Sequence, residues 1–351
     1  MNPHLAPRSA FAWLRAGLPA AVAGLLFLTP AARAEPADPA DAPQPRKLEV
    51  EAHRDLPYYG GKDADEVRHK LDVFAPKGGQ GLPVVFFLHG GAWIAGSKDF
   101  PGFYTRVGPF FARHGVVAVL PNYRLSPAVK HPEHVRDAAR ALAWTVKHVA
   151  DYGGDPRKII VAGHSAGGHL AALLATDPSY LQAEGLKPSA IRGVMALSGV
   201  YTIPEINLHV TRDDNGLRTM LSGSELGPGA GFGLSLPLPR LRRAASRLAF
   251  DLNLNPFALA FPGDAEARRR ASPIHHVRPG LPPFLVAYAD HDHVTLGPMA
   301  ETFAQALKDC RCDVRLLKAC DRNHRTILTS CDRPDDPVGR AMLEFVEKHA
   351  R

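Results

Sequence analysis

Apolar residues in this chain gather into short runs separated by stretches with helical spacing. Mostly apolar runs occupy 70–74, 83–88, 115–120, 159–162, 191–197, 283–287 and 314–318. Runs of this length with little polar alternation predict strands buried on both faces. Between them, 100–114, 132–152, 169–174, 299–308 and 338–349 carry the spacing of helices. In 132–152, Val135, Ala138, Ala139, Leu142, Ala143, Val146 and Val149 share one face, and the segment starts after a proline, as helices often do. Strands and helices alternating in this way predict an α/β fold with a mostly parallel, doubly wound sheet.

The rhythm breaks between 201 and 262. A glycine- and proline-rich stretch at 223–239 is followed by a weakly helical one at 241–261. Because this segment lies between two predicted core strands, it reads as a cap inserted over the mouth of the sheet. Its Phe232, Leu234, Leu236, Leu238, Phe250, Phe257 and Phe261 either line a pocket or pack the cap onto the body.

At the N-terminus, Arg8 and Arg15 precede an apolar run at 20–28, and Ala32-Arg33-Ala34 precedes Glu35. That order is the pattern of an export signal, with cleavage expected after Ala34 and a periplasmic or secreted product. Its apolar core is too short for a comfortable membrane span, and no later segment reaches the roughly 20 apolar residues a span needs. Residues 35–50, rich in proline up to Arg46, predict a disordered leader. The rest, 51–351, reads as one folded unit with the cap inserted.

Losing the three arginines of the signal lowers the formal charge from +7 to +4. Arginines at 240–247 and 268–270 lack interleaved aromatics or a nucleic-acid motif, so they read as solvated surface, with no nucleic-acid partner. The four cysteines, Cys310, Cys312, Cys320 and Cys331, do not follow the spacing of zinc knuckles or ribbons. In an exported chain they predict two disulfides, and one between Cys320 and Cys331 would clamp the loop that contains His324.

The pentapeptide Gly163-His164-Ser165-Ala166-Gly167 joins the run at 159–162 to the helix-like run at 169–174. The serine therefore sits at the apex of a strand-turn-helix. Such a turn admits only small residues two positions either side of the serine, and it pushes Oγ clear of the sheet, as in the nucleophile elbow of a hydrolase. Upstream, His89-Gly90-Gly91-Ala92-Trp93 follows the strand ending at Leu88. Its glycines let main-chain N–H groups approach a substrate oxygen, which makes Gly90, Gly91 and Ala166 a candidate oxyanion hole. The nucleophile needs a base, and the base an orienting carboxylate, in the chain order Ser, Asp, His. The loop after 283–287 supplies Asp290 and Asp292, and the loop after 314–318 supplies His324.

HGGAW at 89–93, NYRL at 122–125, GHSAGGHLA at 163–171, ASPIHHV at 271–277, the DHD loop at 290–292 and NHRTIL at 323–328 together resemble the α/β-hydrolase esterase superfamily. The resemblance is to its carboxylesterase branch, with arylformamidase-like and feruloyl-esterase-like members, over roughly 65–349 apart from the cap. It implies the α/β-hydrolase fold and a catalytic triad of Ser165, Asp292 and His324. In the family's acid loop Asp290 would be the companion acid, and it is the alternative to Asp292. Ala289 stands where the family has glycine and His293 where it has proline. His291 and His293 would line the acyl pocket or, alternatively, hold a metal. His89 and His164 would make structural hydrogen bonds, and Trp93 and Tyr123 would pack. The implied reaction is hydrolysis of a small-molecule carboxylic ester through an acyl-enzyme, with no cofactor and no metal. An arylformamidase-type amidase acting on N-formyl aryl amides is the alternative. A fold kept only for binding would lack a triad member, and this chain has all three.

Overall fold

Each apolar run becomes a strand, since a strand covered on both faces does not alternate. The computed structural model describes residues 48–204 and 256–350, with the backbone of two strands between them. In chain order the strands are β1 (Val50–Pro57), β2 (Lys70–Pro76), β3 (Leu82–Leu88), β4 (Val117–Pro121), β5 (Gly154–His164), β6 (Gly193–Leu197), β7 (Asn207–Asp213), β8 (Gly216–Ser222), β9 (Phe284–His291) and β10 (Val314–Asn323). The helices are α1 (Val107–Arg113), α2 (Glu133–His148), α3 (Ala166–Thr176), α4 (Ser179–Ala183), α5 (Pro256–Ala260), α6 (Ala265–Arg270), α7 (Leu296–Asp309), α8 (Thr326–Thr329) and α9 (Pro337–Ala350).

Eight strands form one sheet in the order β1-β2-β4-β3-β5-β6-β9-β10. β2 is antiparallel to both of its neighbours, β1 and β4, and every other neighbouring pair is parallel. Along β3, Val84, Phe86 and Leu88 enter one core, and Val85 and Phe87 enter the other. Helices α2, α3 and α7 cover the first face, while α1 and α9 cover the second. The doubly wound sheet is therefore as predicted, with the functional loops at the carboxyl ends of its strands, where open α/β sheets place ligands.

Three local expectations change. The helix expected over 100–114 begins only at Val107, after a single 3-10 turn at Tyr104–Arg106. Strand β1 leaves no apolar run in the sequence, because its residues are mostly exposed and it pairs only with β2 at the sheet edge. The expected disulfides are absent: all four cysteines are free thiols. Cys310 and Cys312 pack against the first core and Cys331 in the second, on the opposite face of the sheet. Cys320 lies exposed on β10 while Cys331 is buried, so the expected clamp on the base loop does not form.

Of the predicted cap, the antiparallel hairpin β7-β8 and the returning helix α5 are described. Phe232, Leu234, Leu236, Leu238 and Phe250 lie outside the described residues, as do the signal and most of the leader. Phe261 packs rather than lining a pocket: it is buried, with its ring 4.8 Å from Trp93 and 5.4 Å from His131. Of the arginines at 268–270, Arg270 pairs with Glu266 one turn earlier at an exposed site.

Five of the buried histidines make stability depend on pH. Burial, the largest influence on each, pushes His89 and His134 down to about 4 and His131, His164 and His169 down to about 3. Unfolded histidine titrates near 6.5, so below that pH the unfolded chain binds protons that the folded chain refuses. Stability is therefore expected to fall as pH drops from about 6.5 toward 4, by at most about 1.4 kcal/mol per pH unit for each histidine. Thermal melting at pH 7 and pH 5 checks this, and equal midpoints would contradict it.

Candidate active site

Ser165 stands between β5 and α3 with φ +57° and ψ −121°, a conformation a non-glycine residue adopts only under constraint. Its neighbours impose that constraint. A Cβ added at Gly163 would lie 2.2 Å from the Gly167 carbonyl oxygen, and one at Gly167 would lie 2.1 Å from that of Leu88. The small residues expected around the serine are thus a steric requirement. The Ser165 N–H donates to the Leu197 carbonyl at 2.8 Å, fastening the elbow to β6.

The loop after β3 reaches the serine closely enough that a Cβ on Gly90 would come within 2.9 Å of Ser165 Cβ. Gly90 is nevertheless not an oxyanion donor here. Its N–H already donates to the Tyr104 hydroxyl at 2.7 Å. The next two N–H groups, of Gly91 and Ala92, make no hydrogen bond among the described residues. Gly91, Ala92 and Trp93 have φ of +121°, +52° and +60°. Successive turn residues of this kind can gather N–H groups into an anion-binding concavity. Ala92 therefore replaces Gly90 in the candidate hole, beside Gly91 and the N–H of Ala166 at the start of α3.

Side chains elsewhere hold this loop in place. The Tyr123 hydroxyl donates to the His89 carbonyl at 2.9 Å, and Asn122 Oδ1 accepts the Lys98 N–H at 2.6 Å. Arg68 donates to the Gly96 carbonyl at 2.8 Å. Trp93 is buried and donates its indole N–H to His169 Nδ1 at 3.2 Å. Tyr123 thus holds the loop by its hydroxyl as well as packing, stacked 4.3 Å from the His89 ring.

Beyond β9, Asp292 Oδ1 accepts a hydrogen bond from His324 Nδ1 at 2.7 Å. Its second oxygen takes the Ser198 hydroxyl, at 2.5 Å, and the Ala289 N–H, at 3.2 Å. Burial works against ionisation of this carboxyl, but the hydrogen bond and charge of His324 and the Ser198 hydroxyl outweigh it and hold the group down at about 2. Asp290 has different partners: it accepts the N–H groups of Asp321 and Arg322 at 2.8 and 3.0 Å, tying the end of β9 to the end of β10. Those bonds, led by Asp321, hold its carboxyl below the ordinary carboxylate range. The geometry therefore pairs His324 with Asp292 and leaves Asp290 as a loop fastener.

His324 lies between two other imidazoles, its ring 4.6 Å from His164 and 4.4 Å from His293. His164 Nε2 donates to the His324 carbonyl at 2.8 Å, so the base loop touches the residue just before the serine. His291 points outward beside Asp290. Among the described residues, no group of three or more His, Cys, Asp or Glu side chains is placed to hold a metal ion. Ser198, Tyr104 and Ala92 are the site residues the sequence did not reveal. Only the short apolar run before Ser198 marked a strand end where a functional group could sit.

The family model BD-FAE matches residues 71–215. The chain is 30% identical over 280 residues to the esterase LipQ of Mycobacterium tuberculosis, which covers 76% of this chain and 55% of LipQ. It is 30% identical over 229 residues to the probable carboxylic ester hydrolase LipM of the same organism, which covers 64% of this chain and 45% of LipM. The chain thus spans about half the length of these curated relatives. In three dimensions it resembles a hyperthermophilic esterase from Pyrobaculum calidifontis, with a TM-score of 0.60, 23% identity, and coverage of 86% of this chain and 85% of that one. With the strand order, the elbow and the positions of the loops, these likenesses make the chain a member of the α/β-hydrolase superfamily, similar in sequence to its carboxylesterases.

Proposed function

We propose that the chain is an exported serine esterase that cleaves small carboxylic esters through an acyl-enzyme on Ser165. The observation that carries the reading is the Asp292–His324 hydrogen bond at Nδ1, which leaves Nε2 as the basic nitrogen, on a loop bonded to the residue before an elbow serine. His324 Nε2 takes the Ser165 proton as Oγ attacks the ester carbonyl. The carbonyl oxygen becomes an anion held by the N–H groups of Gly91, Ala92 and Ala166. The ester C–O bond then breaks, and His324 returns the proton to the leaving alcohol. Water, deprotonated by the same imidazole, attacks the acyl carbon, the bond to Oγ breaks, and His324 returns the proton to Ser165 as the acid leaves. Asp292, ionised throughout, holds the ring and stabilises its charged form.

The names of the relatives favour esters over N-formyl aryl amides, which the same groups could attack. Hydrolysis of a p-nitrophenyl ester series from acetyl to dodecanoyl tests the reading, with an N-formyl aryl amide alongside. Turnover of at least one ester is expected; turnover of the amide alone would overturn the ester reading. The export part rests on the order of basic, apolar and small residues over 1–34. N-terminal sequencing of exported protein is expected to begin at Glu35, and a retained, uncleaved chain would contradict it.

A further inference from the structure

The base directly follows β10, the edge strand of the sheet. In the strand order β5-β6-β9-β10, β10 lies three places from the strand that bears the serine. At about 4.8 Å per strand that is roughly 14 Å, which the irregular end of β10 and the His324 side chain must bridge to reach the nucleophile. The oxyanion loop comes from β3, on the other side of β5. Drift of about 1 Å between two such loops would misalign the base and the oxyanion donors, so their separation needs a fixed reference.

Two buried side chains supply one. Gly90 N–H donates to Tyr104 Oη at 2.7 Å, Tyr104 Oη lies 3.0 Å from His164 Nδ1, and His164 Nε2 lies 2.8 Å from the His324 carbonyl oxygen. Tyr104 and His164 are 4% and 2% exposed, so water does not compete for these bonds. The ends of the chain set its polarity. A backbone N–H can only donate and a carbonyl can only accept, so His164 carries its proton on Nε2 and takes the Tyr104 proton at Nδ1. Each group is satisfied once, in one direction, from the oxyanion loop to the base loop. The His164 ring, whose two nitrogens direct their hydrogen bonds away from each other, acts as a rigid spacer, packed 5.3 Å from Phe103 and 4.6 Å from His324.

We propose that Tyr104 and His164 are positioning residues that set the oxyanion loop and the base-bearing loop in register on either side of Ser165. This rests on the esterase reading above and assigns its geometry to two buried groups behind the catalytic residues. Small misplacements of catalytic groups can cost up to about a hundredfold in rate without weakening substrate binding. The expected signature is a fall in kcat at nearly constant KM.

The test measures kcat per active site, with active sites counted by the p-nitrophenol burst, for wild type, Tyr104→Phe, His164→Leu and His164→Gln. Affinity for an aryl trifluoromethyl ketone, which forms an oxyanion on the serine, is measured in parallel. Tyr104→Phe is expected to lower kcat per site about tenfold and His164→Leu about a hundredfold, with KM within about twofold and ketone affinity falling in step. His164→Gln keeps a donor for the His324 carbonyl and an acceptor for Tyr104, so it is expected to recover most of the loss. A proton NMR spectrum of the free protein adds a readout that needs no turnover: the low-field His324 Nδ1 proton should broaden or shift in His164→Leu and be restored in His164→Gln. Wild-type kcat per site and an unchanged Nδ1 proton in both Tyr104→Phe and His164→Leu would overturn the proposal, as would losses confined to the number of active sites. Ser165→Ala runs alongside: turnover that survives it sinks the esterase reading itself, whereas its loss with unaffected strut variants sinks only this inference.

Discussion

Replacing Ser165 with alanine is expected to lower ester turnover roughly a millionfold, the scale seen when a serine hydrolase loses its nucleophile. Alanine keeps the Cβ that the φ +57° position already accommodates, so the substitution removes Oγ and little else. Folding and melting temperature should stay near those of the parent. His324→Ala should cost a similar factor, since a serine without a base is a poor nucleophile. The double variant should be no worse than either single one, because the two residues act as a unit. Losses that multiply in the double variant would show that Ser165 and His324 work separately. Steady-state turnover of p-nitrophenyl acetate by the three variants reads all of this.

The two aspartates of the acid loop should separate almost as widely. Asp292→Asn is expected to reduce kcat by roughly ten-thousandfold, because an amide in that place favours the wrong tautomer of the base. Asp290→Asn should leave kcat within about tenfold, since one amide oxygen still accepts from the backbone of the neighbouring loop. Its cost should appear instead as a lower melting temperature, through the bonds to Asp321 and Arg322 that join β9 to β10. Because the Asp292 carboxyl is held at about 2, the acid limb of the pH-rate profile should not arise from that residue. A larger loss of kcat in Asp290→Asn than in Asp292→Asn would reverse the two assignments.

The sequence was informative wherever a single residue type has a single physical reason to be present. Strands β3 and β5 announce themselves as apolar runs because both of their faces are covered, and the elbow announces itself because Gly163 and Gly167 have backbone where a Cβ would go. His324 and Asp292 were legible from their places after strands. What escaped depends on partners that are distant in the chain. Gly90 is small because it abuts Ser165, yet its N–H is taken by Tyr104, fourteen residues on. Glycine marks a close approach, and whether its N–H is free is decided by the fold. Ser198 carries no motif and matters only because β6 lies beside β9 in the sheet. The cysteine count suggested bridges, but it carries no information on which face of the sheet each thiol occupies.

The proposed chemistry stands on Ser165 as a nucleophile activated by His324. The most direct test is the mass of the folded protein after reaction with a fluorophosphonate, followed by mapping of the adduct. One adduct per chain is predicted, on the peptide containing Ser165, missing in Ser165→Ala and formed far more slowly in His324→Ala. A folded protein that gains no adduct, or one that is labelled on another residue, would show that Ser165 is not the activated nucleophile.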